Sequence, residues 1–168
     1  MPVVFDADYR AYTWKSLDEI AVYTSLVAEK ADIIMGSREE FDLMERLLGL
    51  DGTDEASAAY WLHQKASVCV IKHGKAGSHA YSREGNYAVK PFPVTALKGF
   101  GGGDGYASSF LHALMAGKAL PDALEMGSAS AAMLVASHAC SKDMPNEESL
   151  LAFIKEEKEK YGTVITKL

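Results

Sequence analysis

Apolar and polar positions along this chain follow two alternating periods. Dense apolar runs at 3–6 (VVFD), 31–36 (ADIIMG) and 67–74 (SVCVIKHG) read as short buried strands. Between them, apolar residues recur every three or four positions. Ile20, Tyr23, Leu26 and Val27 follow Ser16, and Phe41, Met44, Leu47 and Leu48 follow Ser37. That spacing predicts two helices, the first opened by the capping pattern Ser16-Leu17-Asp18-Glu19, the second closed by Gly49. A third helix is predicted over 54–65. Residues 77–94 read as a hairpin turning at Glu84-Gly85-Asn86. Beyond a glycine run come helices at 104–116, at 121–137 with Pro121 in its first turn, and at 147–160. The final stretch, YGTVITKL, carries no assignable pattern.

Strands alternating with helices predict an α/β fold, three-layered and Rossmann-like, around a mainly parallel sheet. Such sheets bind ligands beyond the carboxyl ends of their strands. The loops after Phe5, Met35, Lys72 and Leu97 are therefore where chemistry is expected. A strand beginning at residue 3 with no lead-in suggests the C-terminal part of a longer protein, one domain part across 1–168. The alternative is a short native α/β protein.

The net charge of −6, with no basic block, argues against nucleic acid or an anionic membrane as partner. Cys69 and Cys140 form no CxxC and no zinc spacing, which suits a reducing cytoplasm. No apolar run approaches the roughly 20 residues of a membrane span. His63, His73, His79 and His112 have no metal-ligand spacing and read as surface or core.

The most informative stretch is LKGFGGGDGYASSFLHALMAG, 97–117. Gly101, Gly102 and Gly103 stand at the mouth of a helix, where amides lack intrahelical partners and the dipole is positive. That makes a plausible anion hole; a tight crossover loop explains the glycines equally well. Neither a P-loop nor a GxGxxG fingerprint is present. Asp104 discriminates further. It could be an N-cap. If phosphate binds at the amides, however, the same carboxylate can take a proton from an attacking hydroxyl, which completes the minimal parts for phosphoryl transfer.

GGGDGYASSFLHALMAG resembles the C-terminal signature of the ribokinase (pfkB) family of carbohydrate kinases. DADYRAYTW (6–14), SLVAEKADIIMGSREEFDLME (25–45), LKGFGGGD (97–104) and SASAAMLVASHACSKDMP (128–145) extend the likeness over nearly the whole chain. They point to a subgroup acting on inositol-derived sugar acids, of which Lys98 is typical. The resemblance implies a ribokinase-like fold lacking its N-terminal strands and β lid. It implies ATP and Mg2+ as cofactors, and phosphoryl transfer to the terminal hydroxyl of a small-molecule sugar acid. It makes Asp104 the catalytic base and Gly101, Gly102 and Gly103 the anion-hole amides. Glu40 would organise magnesium indirectly. Gly74, Lys75 and Gly77 would form a turn beside the nucleotide, and Ala139 and Cys140 would border the adenine. Arg10 would face phosphate or the sugar acid. For Asp6 and Asp8, on the same edge, a structural role is favoured, and Cys140 itself reads as a small buried filler.

The chain departs from the family pattern at Ser37 (for asparagine), Gly99 (for threonine), Gly102 (for alanine) and Ser109 (for a small apolar residue). Extra glycine makes the loop costlier to order. The alternatives are another pfkB kinase, such as a 2-keto-3-deoxygluconate kinase or fructokinase, or a non-catalytic nucleotide-binding relic in which Asp104 only caps. A homo-oligomer paired through an open sheet edge is a third reading.

Overall fold

A computed structural model describes residues 2–168 and divides the chain into two compact units. The first runs to Gly74 and includes Ser78–Asn86 and Leu168. The second holds Lys75–Gly77 and Tyr87–Lys167.

The first unit is the predicted βαβ arrangement. Strands β1 (Val4–Asp6), β2 (Ile33–Ser37) and β3 (Val68–Lys72) are parallel neighbours in that order, and β4 (Ser78–Ser82) runs antiparallel to β3. Helix α1 (Leu17–Ala28) joins β1 to β2; α2 (Arg38–Glu45) and α3 (Asp54–Gln64) join β2 to β3. Ser16 accepts the Glu19 N–H as the sequence predicts, but the Glu19 carboxylate reaches the Lys15 N–H rather than that of Ser16.

The buried face of α1 differs from the expected stripe. Ile20, Ala21 and Ala28 are buried, whereas Tyr23, Leu26 and Val27 are exposed. Small alanines let the helix approach its neighbours closely, and the larger residues turn outward. Helix α2 also stops earlier than its periodicity suggests, at Glu45, leaving Leu47 exposed in a turn that ends at Gly49 with φ +68°.

The core of this unit gathers Ile34, Phe41, Met44, Trp61, Cys69 and Ile71. Each large apolar side chain buried there is worth about 1.5–3 kcal/mol relative to exposure. One charged group sits among them. Glu45 accepts from the Trp61 indole N–H at 2.8 Å, the Ser57 hydroxyl at 2.7 Å and the Arg38 guanidinium at 3.0 Å. Burial pushes its carboxyl above the usual range, and these donors pull against that rise without cancelling it.

In the second unit, β5 (Asn86–Val89) pairs antiparallel with β6 (Ile165–Lys167), so the unassigned C-terminal stretch forms a strand. Helices α4 (Gly102–Met115), α5 (Leu120–Val135) and α6 (Glu147–Tyr161) complete it. Tyr106, Phe110 and Ala113 of α4 and Ala123, Leu124 and Leu134 of α5 are buried. Asn146 caps α6 by accepting the Ser149 N–H, and Phe153 meets Phe92 edge-on at 5.4 Å. Among the described residues, no helix is long and apolar enough to cross a membrane.

Candidate functional site

The glycine run opens α4 two residues earlier than expected. Gly101 is the N-cap, with φ +84°, a left-handed conformation that favours glycine. The first intrahelical bond runs from the Gly105 N–H to the Gly101 carbonyl at 3.0 Å. The amides of Gly102, Gly103 and Asp104 therefore have no intrahelical acceptor and stand at the positive end of the helix dipole. Asp104 is the third helical residue, not the cap. Its carboxylate is exposed and makes no hydrogen bond or ion pair with any other described residue.

Close packing shapes this cradle. A Cβ on Gly101 would lie 2.7 Å from Cys140 Sγ, and one on Gly102 would lie 2.9 Å from Val135 Cγ1. The approach to the glycines is tied down from the same side. The Leu97 and Lys98 N–H groups both donate to the Val135 carbonyl, at 2.8 and 3.2 Å. Lys98 Nζ donates to the Ala139 carbonyl at 2.6 Å, and it lies 3.5 Å from Cys140 Sγ and 5.4 Å from the Phe100 ring centre. The Ala139 N–H donates to Asp143 at 2.7 Å, which is the main reason that carboxyl is held below its usual range.

Ala139 and Cys140 are thus brought against the glycine loop. Cys140 is half-buried rather than fully buried. Lys98 was visible in the sequence only as a subgroup feature. Its role here is to hold two loops together, and its signal was a lysine three residues before a glycine run.

The other expected glycines lie at a tight turn. Gly74, two residues beyond β3, has φ +57° and begins a 3-10 turn over Gly74–Ala76, on which Lys75 is exposed. Gly77 has φ +100°, and a Cβ there would fall 2.0 Å from the Val89 carbonyl oxygen. No other residue fits that position.

In the first unit, the carboxyl ends of β1 and β2 collect the charged residues singled out from the sequence. Glu40 closes a capping box with Ser37: its Oε2 accepts the Ser37 N–H at 2.6 Å, while Ser37 Oγ accepts the Glu40 N–H. Its Oε1 accepts the Tyr9 N–H at 2.8 Å. One carboxylate thus fixes both the start of α2 and the loop after β1. Burial raises the Asp6 carboxyl, against the opposing pull of Lys72 at 3.1 Å. Arg10 is exposed, paired with Asp8 at 2.7 Å and donating to the Tyr9 carbonyl. His73 and His79, read from sequence as surface or core, instead converge on Asp54.

Comparison with known proteins adds to this geometry. The pfkB family of carbohydrate kinases matches residues 2–147. A 5-dehydro-2-deoxygluconokinase from Clostridium perfringens is 59% identical over 166 residues, covering 98% of this chain and 49% of the relative. Its counterpart from Clostridium beijerinckii is 58% identical over 167 residues, with the same coverages of 98% and 49%. The chain spans about half the length of the curated relatives it matches. Among solved structures, a putative ribokinase II from E. coli in complex with ATP and Mg2+ superposes with a TM-score of 0.81 at 23% identity, covering 92% of this chain and 49% of that one. The fold is therefore ribokinase-like, and the chain belongs to the pfkB family of carbohydrate kinases.

Proposed function

We propose that the protein carrying this chain is an ATP- and Mg2+-dependent sugar-acid kinase that phosphorylates the terminal hydroxyl of 5-dehydro-2-deoxygluconate in a reducing cytoplasm. The observation that carries this reading is that the helix amides at Gly102 and Gly103 and the carboxylate of Asp104 stand together with no partner among the described residues. The name and 59% identity of the C. perfringens relative support the substrate, and two free cysteines suit the compartment. The chain would supply the nucleotide half of the kinase domain.

The residues present fit the groups the reaction needs. The cradle at 101–103 carries no side chains, and a Cβ at either of the first two glycines would meet Cys140 or Val135, so its backbone amides would stay open to phosphate oxygens. ATP with magnesium, when bound, supplies an electrophilic phosphorus with its charge partly neutralised. Glu40 has both carboxylate oxygens held by backbone N–H groups, which suits ordering the water shell of a metal rather than replacing it. The 101–103 amides would hold charge on the transferred group. Asp104 would accept the proton of the attacking hydroxyl, and Gly74, Lys75, Gly77, Ala139 and Cys140 would border the nucleotide. Arg10 would bind the substrate carboxylate or phosphate once released from Asp8, since its fork suits either.

Asp104→Asn in the intact protein tests the base. A positioned general base contributes about 10²–10⁴-fold. The variant should lose turnover on that scale while still binding ATP. Undiminished turnover would remove Asp104 from the chemistry.

A further inference from the structure

Outside the glycine loop, one cluster of ligand-type side chains among the described residues has no part in the proposed reaction. Asp54 opens α3, His73 follows β3 directly, and His79 lies in β4. His73 Nε2 and His79 Nδ1 each lie 2.7 Å from the same oxygen, Asp54 Oδ2. The three ligand atoms lie within 4.8 Å of one another, and the two imidazole rings are 5.2 Å apart between centres. Asp54 is buried, while both histidines keep a face toward solvent, so the cluster has a supported floor and an open side.

The other Asp54 oxygen is held as well. Arg38 donates from Nη1 to Asp54 Oδ1 at 3.2 Å, from Nη2 to Glu45 Oε2 at 3.0 Å and from Nε to Asp42 Oδ1 at 3.0 Å. With all of these ionised, one cation faces three carboxylates, so the surroundings carry two net negative charges even with both histidines neutral. An outer partner of this kind orients a ligating carboxylate.

We infer that Asp54, His73 and His79 form a binding site for a first-row divalent cation, zinc foremost, with water completing the coordination on the open side. Two imidazoles and one carboxylate are the donor set of zinc and its neighbours, whereas magnesium and calcium take oxygen ligands. In the metal-free cluster, two ring nitrogens share one oxygen. A cation would take the space between those three atoms. Ligands about 2.0–2.2 Å from zinc stand roughly 3.3 Å apart in a tetrahedron, so the contacts need open by only about half an ångström. In the metal-bound form, His73 Nε2 and His79 Nδ1 present their lone pairs to the ion, and each ring carries its proton on the other nitrogen, Nδ1 of His73 and Nε2 of His79. The ion clamps the first turn of α3 to the β3–β4 pair. The inference is independent of the kinase reading, and its test does not use turnover.

The test strips the intact protein of metal with a chelator. Zn2+ is then titrated by calorimetry and Co2+ by visible absorption, on the unaltered protein and on His73→Gln and His79→Gln. The His79 side chain is 41% exposed, so His79→Gln leaves the core untouched. The expected result is one Zn2+ equivalent per chain and Co2+ bands of a low-symmetry, four- or five-coordinate nitrogen and oxygen site. Each variant should weaken that equivalent by at least about a hundredfold, because even outer-sphere partners are worth about 10–100-fold. The far-ultraviolet spectra of the metal-free proteins should coincide. Absence of a stoichiometric Zn2+ site, or equal binding by the unaltered protein and His79→Gln, would overturn the inference.

Discussion

Gly102 occupies a place where the pfkB pattern usually has alanine, and Val135 accounts for the difference. Alanine at the first position of α4 gains up to about 1 kcal/mol from helix propensity and a less flexible unfolded chain. Its Cβ, however, would stand 2.9 Å from Val135 Cγ1. Valine in a helix has one strongly preferred rotamer, so that methyl cannot easily turn away. Overpacking of this kind costs about 1–3 kcal/mol, which outweighs the gain. Gly102→Ala should therefore destabilise the protein by about 1 kcal/mol. Val135→Ala alone should cost about 1 kcal/mol, since the side chain is half-buried. Together the two should not add: with the methyl gone, the alanine's propensity gain returns, giving a coupling of about 2 kcal/mol. Urea unfolding of the four proteins closes the cycle. Additivity within about 0.5 kcal/mol would refute the steric explanation and leave Gly102 as a choice for flexibility.

Gly77→Ala should cost on the order of 3 kcal/mol, combining about 1–2 for a left-handed backbone with displacement of the Val89 carbonyl; a thermal midpoint unchanged to within a degree or two would contradict the turn geometry. Of the two cysteines, Cys69 is buried with its thiol pushed up to about 12, so a thiol reagent on the native protein should modify Cys140 alone, and two rapidly reacting thiols would count against the packing of β3. Replacing Glu45 by Gln should destabilise the protein by about 1–3 kcal/mol, because an amide nitrogen cannot accept from Trp61, Ser57 or Arg38 and leaves a buried donor without its partner. The carboxyl pKa of Glu45 is raised on folding, so the folded state binds its proton more tightly. Its proton-linked stability is fully present below the ordinary value of 4.5 and is lost as pH rises through the raised value. Glu45→Gln should remove that slope from a plot of urea midpoint against pH, and an unchanged slope would place the titration elsewhere.

The βαβ order and the position of the glycine loop were legible because they rest on local signals: a period of two or of 3.6, a capping serine, a glycine where the helix turns in. The face of α1 was not, since apolar residues surround that helix almost completely and only packing decides that Ala21 and Ala28 go inward. The strand at 165–167 was too short to show a period; pairing with β5 defines it. Asp104 was found from its neighbours, but its lack of a partner among the described residues became visible only once Gly101 had taken the capping place. The cluster on Asp54 was beyond reach for a different reason. Its histidines lie 19 and 25 residues away in the chain, and the strand register alone brings them together.

The outward face of α1 has a consequence for how this chain behaves in water. Leu17, Val22, Tyr23, Leu26 and Val27 are between 44% and 58% exposed along one helix, a stripe of the kind that drives association. At neutral pH the net charge of −6 keeps molecules apart. Near the isoelectric point of about 5.3 that repulsion vanishes and the stripe is left unopposed. Clear solutions of the isolated chain are therefore expected well above that pH, and acidification toward it should bring the chain out of solution.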